Sequence, residues 1–298
     1  MKLGLQIRSF TWPGGPAAIS ETLGRIVRTA DDVGFDSIWL MDHFIQIRGV
    51  GKPHEPMLEG WTTLGWIAAN TSRARLGLLV GAVPYRYPAV WVKAATALDV
   101  LSGGRAWLGI GAAWNQEEAE QLGIPFPPLP ERFEQLEDTL RIAHAMWEGE
   151  HGTEGSLEGH HVQATRLLNS PQSLSRPRVP IMVGGGGERR TLRLVARYAD
   201  AANVFGAPEA IARKYRILEE HCGAVGREVD QIERTTLQSV AISADGGPGT
   251  ETPAQVVNHF GELGDAGAQH VIFNLRNVHD TSLLELIGRD VIPQLRDL

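Results

Sequence analysis

Short apolar runs and amphipathic segments alternate from one end of this chain to the other, and few folds accommodate that rhythm. KLGLQI (2–7) is followed by Ile19, Leu23, Ile26, Val27, Ala30 and Val33, spaced so that they share one helix face. Gly34 closes that helix. SIWLM (37–41) is then a nearly continuous apolar run, as a strand covered on both faces requires. The same two patterns predict strands at 75–82, 105–112, 181–185, 200–204, 236–243 and 270–274. Helices are expected over 60–71, from Pro88, from Phe133 to Trp147, and over 188–198. Eight strands, each followed by a helix, predict an α/β protein with a parallel sheet. At 298 residues the pattern favours a closed (β/α)8 TIM barrel, with an open doubly wound sheet as the alternative. The stretch 149–179 breaks the rhythm with Gly, Pro, Ser and His. It reads as an insertion before the fifth strand, near the functional face, in a single domain spanning 1–298.

The formal net charge is −7 and no block of five or six Lys/Arg occurs, which argues against a nucleic-acid or anionic-membrane partner. No window reaches the roughly 18 consecutive apolar residues of a spanning helix. The first residues lead directly into LGLQI, without an apolar leader core. Cys222 is the sole cysteine, so no disulfide forms within the chain, and it reads as a passive reduced thiol. A cytoplasmic location is expected.

Barrel enzymes carry their chemistry at the carboxyl ends of the strands. Those positions hold Arg8, Ser9 and Phe10 after the first strand, and Asp42, His43 and Phe44 after the second. The third runs into Gly81-Ala82-Val83-Pro84-Tyr85-Arg86, and the fourth into Gly111-Ala112-Ala113-Trp114-Asn115. The fifth ends in Gly184, Gly185, Gly186 and Gly187, the sixth in Asn203, and the eighth in Asn274 and Arg276.

The four glycines stand between a strand and a helix expected to begin near Glu188. Without Cβ atoms, their amides are open to anion oxygens, and a helix N-terminus adds a favourable dipole. The run matches neither GxGxxG nor a P-loop, so it reads as a phosphate cradle or as a structural turn. Asp42 and His43 are the candidate catalytic pair: imidazole exchanges protons near neutral pH, and a carboxylate can accept a ligand N–H. The plain alternative is a helix cap beside a packed imidazole. Phe10, Trp12 and Trp114 are candidates for the substrate pocket. Phe44, Trp61 and Tyr85 also fall near strand ends, whereas Trp39, Trp107 and Trp147 are expected to pack the barrel. Arg86 and Arg276 suit either an anionic substrate or a structural ion pair. His160 and His161 are adjacent, His144 falls on the long helix, and no metal-ligand spacing emerges.

WLMDHF, LGLLVGAVPYRYPAVWVKAATALDVLSGGRAWLGIGAAWN and PIMVGGGGERRTLRLVARYADAAN resemble the luciferase-like monooxygenase superfamily, and more narrowly its coenzyme F420-dependent oxidoreductase branch. The resemblance runs almost the full length. It implies a barrel, often dimeric, that holds a deazaflavin (coenzyme F420) or FMN at the strand ends and acts on a small molecule. It also implies a non-proline cis peptide joining Leu79 to Val80 against the ring, with the phosphate on the glycine run. Ala82, Gly111 and Ala112 would line the ring or its chain. Asp42 would face the ring's polar edge and His43 the reaction centre. The superfamily's sugar-phosphate dehydrogenases carry a proton-transferring glutamate where this chain has Trp114; Glu117 lies nearby without a matching role. The implied activity is hydride transfer between F420 and a small organic substrate. An FMN-dependent monooxygenase and a cofactor-binding protein without turnover are the alternatives.

Overall fold

The computed structural model describes residues 1–296. Eight parallel strands form the barrel: β1 Lys2–Ile7, β2 Ser37–Leu40, β3 Arg75–Leu78, β4 Ala106–Gly111, β5 Ile181–Gly184, β6 Ala201–Val204, β7 Glu233–Val240 and β8 His270–Leu275. Each pairs with its sequence neighbours, β8 returns to β1, and β5 pairs with β4, so the sheet is closed. The strand count and the closed barrel are those expected from the alternation.

The helices form the outer layer. They are α1 Ile19–Val33, α2 Gly60–Asn70, α3 Pro88–Ser102, α4 Gln116–Gln121, α5 Leu129–Met146, α6 Thr191–Tyr198, α7 Pro208–Val225, α8 Pro253–Asp265, α9 Ser282–Asp290 and α10 Ile292–Arg296. Leu23, Ile26, Val27 and Ala30 of α1 are buried against the sheet, and the helix ends where Gly34 takes φ +103°. A separate cluster fills the barrel itself: Trp39, Leu79, Met182, Ala201 and Ile272, with Trp107 6.2 Å from Trp39 between ring centroids. The barrel is therefore solid through its middle. Cys222 is buried on α7. None of the described helices is long and apolar enough to cross a membrane.

Several boundaries depart from expectation. The third strand breaks after Leu78, passes through a cis Leu79–Val80 peptide and resumes as Gly81–Ala82. The seventh begins at Glu233 rather than 236, because its polar first residues pair at the amino end, Thr235 opposite His270. The helix after the glycines starts at Thr191, not near Glu188, since 188–190 form a turn.

The segment 149–179 does not lie at the functional face. It folds into two short antiparallel ladders, Gly152–Thr153 with Leu167–Leu168 and Leu157–Glu158 with Gln163–Ala164. Two buried carboxylates clamp it to the outer helices. Asp138 of α5 accepts the His160 and His161 amides (3.0 and 2.8 Å), and Asp99 of α3 accepts those of Leu174 and Ser175 (2.7 and 2.9 Å). It forms a brace on the outside of the barrel, held by these hydrogen bonds and by Leu157, Val162 and Leu167 packing on the core.

Candidate active site

A cavity of about 590 Å³ opens at the carboxyl ends of the strands. Its floor is set by Leu79 and Val80. The Leu79 carbonyl accepts a hydrogen bond from the buried Gln6 amide (2.9 Å), and Val80 projects over two glycines. A Cβ on Gly184 would stand 2.7 Å from Val80 Cγ1, and one on Gly111 would stand 3.0 Å from Val80 Cγ2. Glycine at both positions is what lets the Val80 side chain stand between β4 and β5.

Asp42 sits on one wall and is 2% exposed. Its Oδ2 accepts the Ala82 amide (3.0 Å) and Arg86 Nη1 (2.9 Å), whereas Oδ1 is buried with no partner among the described residues. Burial pushes the Asp42 carboxyl up by more than Arg86 draws it down. Arg86 also reaches Glu59 (2.5 Å) and lies 4.6 Å over the Trp91 ring. It is thus a structural ion-pair residue and not free to meet an anionic substrate. Asn274 is the second orphan: its Nδ2 donates to the Gln238 carbonyl (3.2 Å) and its buried Oδ1 accepts nothing among the described residues. Two buried acceptors facing one cavity call for a ligand with N–H or O–H donors.

His43 lines the same wall. Its Nδ1 lies 2.6 Å from Glu118 Oε2. Glu118 is 2% exposed and also accepts the Tyr85 hydroxyl (2.7 Å) and the backbone amides of Phe44 and Ile45 (2.5 and 3.0 Å). Burial alone would raise this carboxyl; the bonds from His43, Tyr85 and Ile45 outweigh it and hold Glu118 below the ordinary glutamate value. Burial and the bond to Glu118 drive the Tyr85 phenol well up, so it stays a donor. A carboxylate on Nδ1 fixes a proton there and leaves Nε2, unengaged among the described residues, to exchange one. Trp114, 65% exposed, sets its ring edge-on to the imidazole at 5.7 Å between centroids.

Glu118 carries no special signal in QEEAEQ, where three glutamates look alike. The Asn115 side chain accepts the Glu118 amide at the start of α4, and that cap sets the phase that turns Glu118 inward. Glu117, the nearby carboxylate noted in the sequence, faces Arg48 at the exposed surface.

The glycine run forms the far wall. Gly184, Gly185 and Gly187 line the cavity with Thr191 at the head of α6. Gly185 takes φ +125°, open only to glycine at little strain, and donates to the Asn203 carbonyl (3.0 Å). The amides of Gly186 and Gly187 donate to no acceptor among the described residues. Gly186 faces Lys214 instead of the cavity, and the ammonium donates to its carbonyl (2.9 Å). Free amides and a helix start together suit a phosphate group.

Ala82, Gly111, Ala112 and Trp114 are in the cavity wall. Phe10 and Trp12 are not. They pack on each other at 5.6 Å in the core outside the barrel, because the chain after β1 turns back towards α1. Trp61 likewise packs edge-on against Trp91, and His144 Nε2 meets the Tyr198 carbonyl at a helix–helix contact.

The sequence model of the family described as luciferase-like monooxygenase matches residues 1–270. The chain belongs to that family. Within it, the chain is 34% identical over 236 residues to the F420-dependent glucose-6-phosphate dehydrogenase of Kineococcus radiotolerans, covering 77% of this chain and 64% of that protein. The chain thus spans under two thirds of that relative's length. Two solved structures superpose on nearly every residue. The coenzyme F420-dependent tetrahydromethanopterin reductase from Methanopyrus kandleri gives a TM-score of 0.81 at 18% identity, over 98% of each chain. An F420-dependent secondary alcohol dehydrogenase in complex with an F420–acetone adduct gives 0.82 at 17%, over 99% of each. At such identities the likeness is one of fold.

Proposed function

We propose that this protein is an oxidoreductase transferring hydride between coenzyme F420 and a small organic substrate. The observation that carries the reading is the grouping, in one cavity, of the His43–Glu118 pair, the unpartnered Asp42 Oδ1 and the bare amides of the glycine run. Asp42 and Asn274 would take donors on the polar edge of the ring. Val80, Ala82, Gly111 and Ala112 would pack along it, and Gly184 to Gly187 would hold the phosphate. When bound, the deazaflavin supplies the hydride acceptor or donor.

The proton is the task of the chain's own residues. His43 Nε2 takes it from a substrate hydroxyl as the carbon gives up hydride, or returns it in the reverse direction. Glu118 orients the ring through Nδ1 and offsets the positive charge that develops on the imidazole. Trp114 covers the imidazole edge and limits water there. This assigns the proton to His43 in a chain that has tryptophan where sugar-phosphate dehydrogenases of the superfamily carry glutamate. The same reading takes the chain as a single barrel domain acting as a homodimer, on the strength of the family resemblance, and as cytoplasmic, on that of its lone reduced cysteine.

FMN is the second reading, since the phosphate cradle and the two orphan acceptors suit either tricyclic ring. Side-by-side binding titrations of F420 and FMN decide. Tight, saturable F420 binding with weak FMN binding supports the proposal. The reverse moves a flavin-dependent monooxygenase into first place, and binding of neither removes the assignment. A carrier without turnover would leave the His43–Glu118 pair without a purpose; F420 binding with no substrate-dependent change in its redox state across a broad panel would favour it.

A further inference from the structure

Arg8 follows the last residue of β1 and lines the cavity. It is the one Lys or Arg in that wall among the described residues, and it is half-buried. No described residue forms a hydrogen bond or ion pair with its guanidinium, and burial is the influence resolved on its pKa, pressing it down. A guanidinium cannot shed its charge, so one drawn out of water without a partner is destabilised until an anion meets it.

The barrel order shows which ligand that anion belongs to. β1 stands four strands from β5 by either route round the sheet, diametrically across the mouth from the glycine run. On the F420 reading the cofactor's phosphate lies on that far side. His43, in contrast, follows β2, the direct neighbour of β1. The Gln46 side-chain amide donates to the Arg8 carbonyl (3.1 Å), tying the loop that carries Ile47 and Val50 to the same corner. Both of these apolar residues line the cavity. A single cation beside an apolar wall matches a monoanion better than a phosphate dianion, which would keep an unmatched charge.

Building on the F420 reading, we infer that the substrate is a hydroxy or oxo carboxylic acid with an apolar body. Its carboxylate pairs with Arg8, its body lies against Ile47 and Val50, and its oxygen-bearing carbon stands beside His43 Nε2. In the oxidative direction the carbinol C–H bond breaks and its hydride passes to the oxidised deazaflavin, which is thereby reduced. The O–H proton goes to His43 Nε2, and the carbon is left as a carbonyl.

Hexanoate and hexanamide, matched in length and differing in charge, test the site by calorimetric titration without turnover. Each is measured against wild type, Arg8→Gln and Arg8→Lys, with F420 affinity measured on all three proteins. Wild type should prefer the acid by roughly 10- to 100-fold. Arg8→Gln should erase that preference, Arg8→Lys should keep part of it, and F420 affinity should be the same in all three. Equal binding of acid and amide to wild type would overturn the inference. So would a preference that survives Arg8→Gln, or stronger binding of glucose 6-phosphate than of hexanoate. Loss of F420 binding from wild type with the Arg8-dependent preference intact would sink the cofactor reading and leave the carboxylate site standing.

Discussion

His43 Nδ1 and Glu118 Oε2 lie 2.6 Å apart across 75 residues of sequence. The contact joins the end of β2 to the helix that follows β4, and it turns a lone imidazole into one with a fixed tautomer and a buried counter-charge. Removing the imidazole should remove proton transfer and little else. His43→Ala is expected to lower turnover on the order of 10²-fold while F420 affinity stays within about twofold. Glu118→Gln should lower turnover too and shift its pH profile, because the amide can present a donor to Nδ1 and reverse the tautomer. Turnover and cofactor affinity measured on both variants check this; an active His43→Ala enzyme removes His43 from the chemistry.

The legible half of this pair was His43, and the reason is physical. A strand end at the mouth of a barrel is a fixed place, and the apolar run SIWLM marks it in the sequence. The direction in which a polar six-residue helix presents its glutamates depends on a cap, so nothing in the string separates Glu118 from Glu117 or Glu120. Phe10 and Trp12 are the converse case: the sequence shows aromatic residues beside a strand end, but not the turn that folds them back towards α1. The apolar pattern marks a strand nearly to the residue where both faces are buried, as in β1, and poorly where β7 starts on polar residues.

Arg86 and Asp42 make a buried ion pair that should dominate stability at the mouth. Arg86→Met would leave the Asp42 carboxylate without its main counter-charge in a site 2% exposed. The expected loss is about 3–5 kcal/mol in unfolding free energy. Adding Asp42→Asn should recover much of it, since the stranded charge is then gone. Urea unfolding of the single and double variants reads the difference, and a double variant no more stable than Arg86→Met contradicts the account.

Gly184 should be less tolerant than its place beside other glycines suggests. A Cβ there meets Val80 Cγ1 at 2.7 Å and Cγ2 at 2.8 Å, so Gly184→Ala has to displace Val80 from the cavity floor. The expected result is a destabilisation of about 1–3 kcal/mol together with weaker F420 binding. Gly223 on α7 is the control, with nothing within 4 Å of a built Cβ. Gly223→Ala should stabilise by about 0.5–1 kcal/mol and leave F420 affinity alone. Thermal unfolding and F420 titration on the two variants separate the cases.

Acid should weaken the opposite end of the barrel through Glu233. Its carboxylate bonds His270 Nδ1 (3.0 Å) and Lys2 Nζ (3.2 Å), and His270 Nε2 in turn meets the Ser37 hydroxyl (2.9 Å). Burial alone would raise this carboxyl; the bonds and charges of His270 and Lys2 prevail and bring it from 4.5 down to about 2. A pKa depressed by folding means the unfolded chain takes up the proton first. The stabilisation is therefore complete above the unfolded value of 4.5 and vanishes as the pH falls through about 2. Glu233→Gln should accordingly be less stable than wild type near neutral pH by at most about 3 kcal/mol. That gap should close between pH 4.5 and about 2. Denaturant unfolding of both proteins across this range measures it, and a gap that stays constant with pH would show that Glu233 acts by packing and not by its charge.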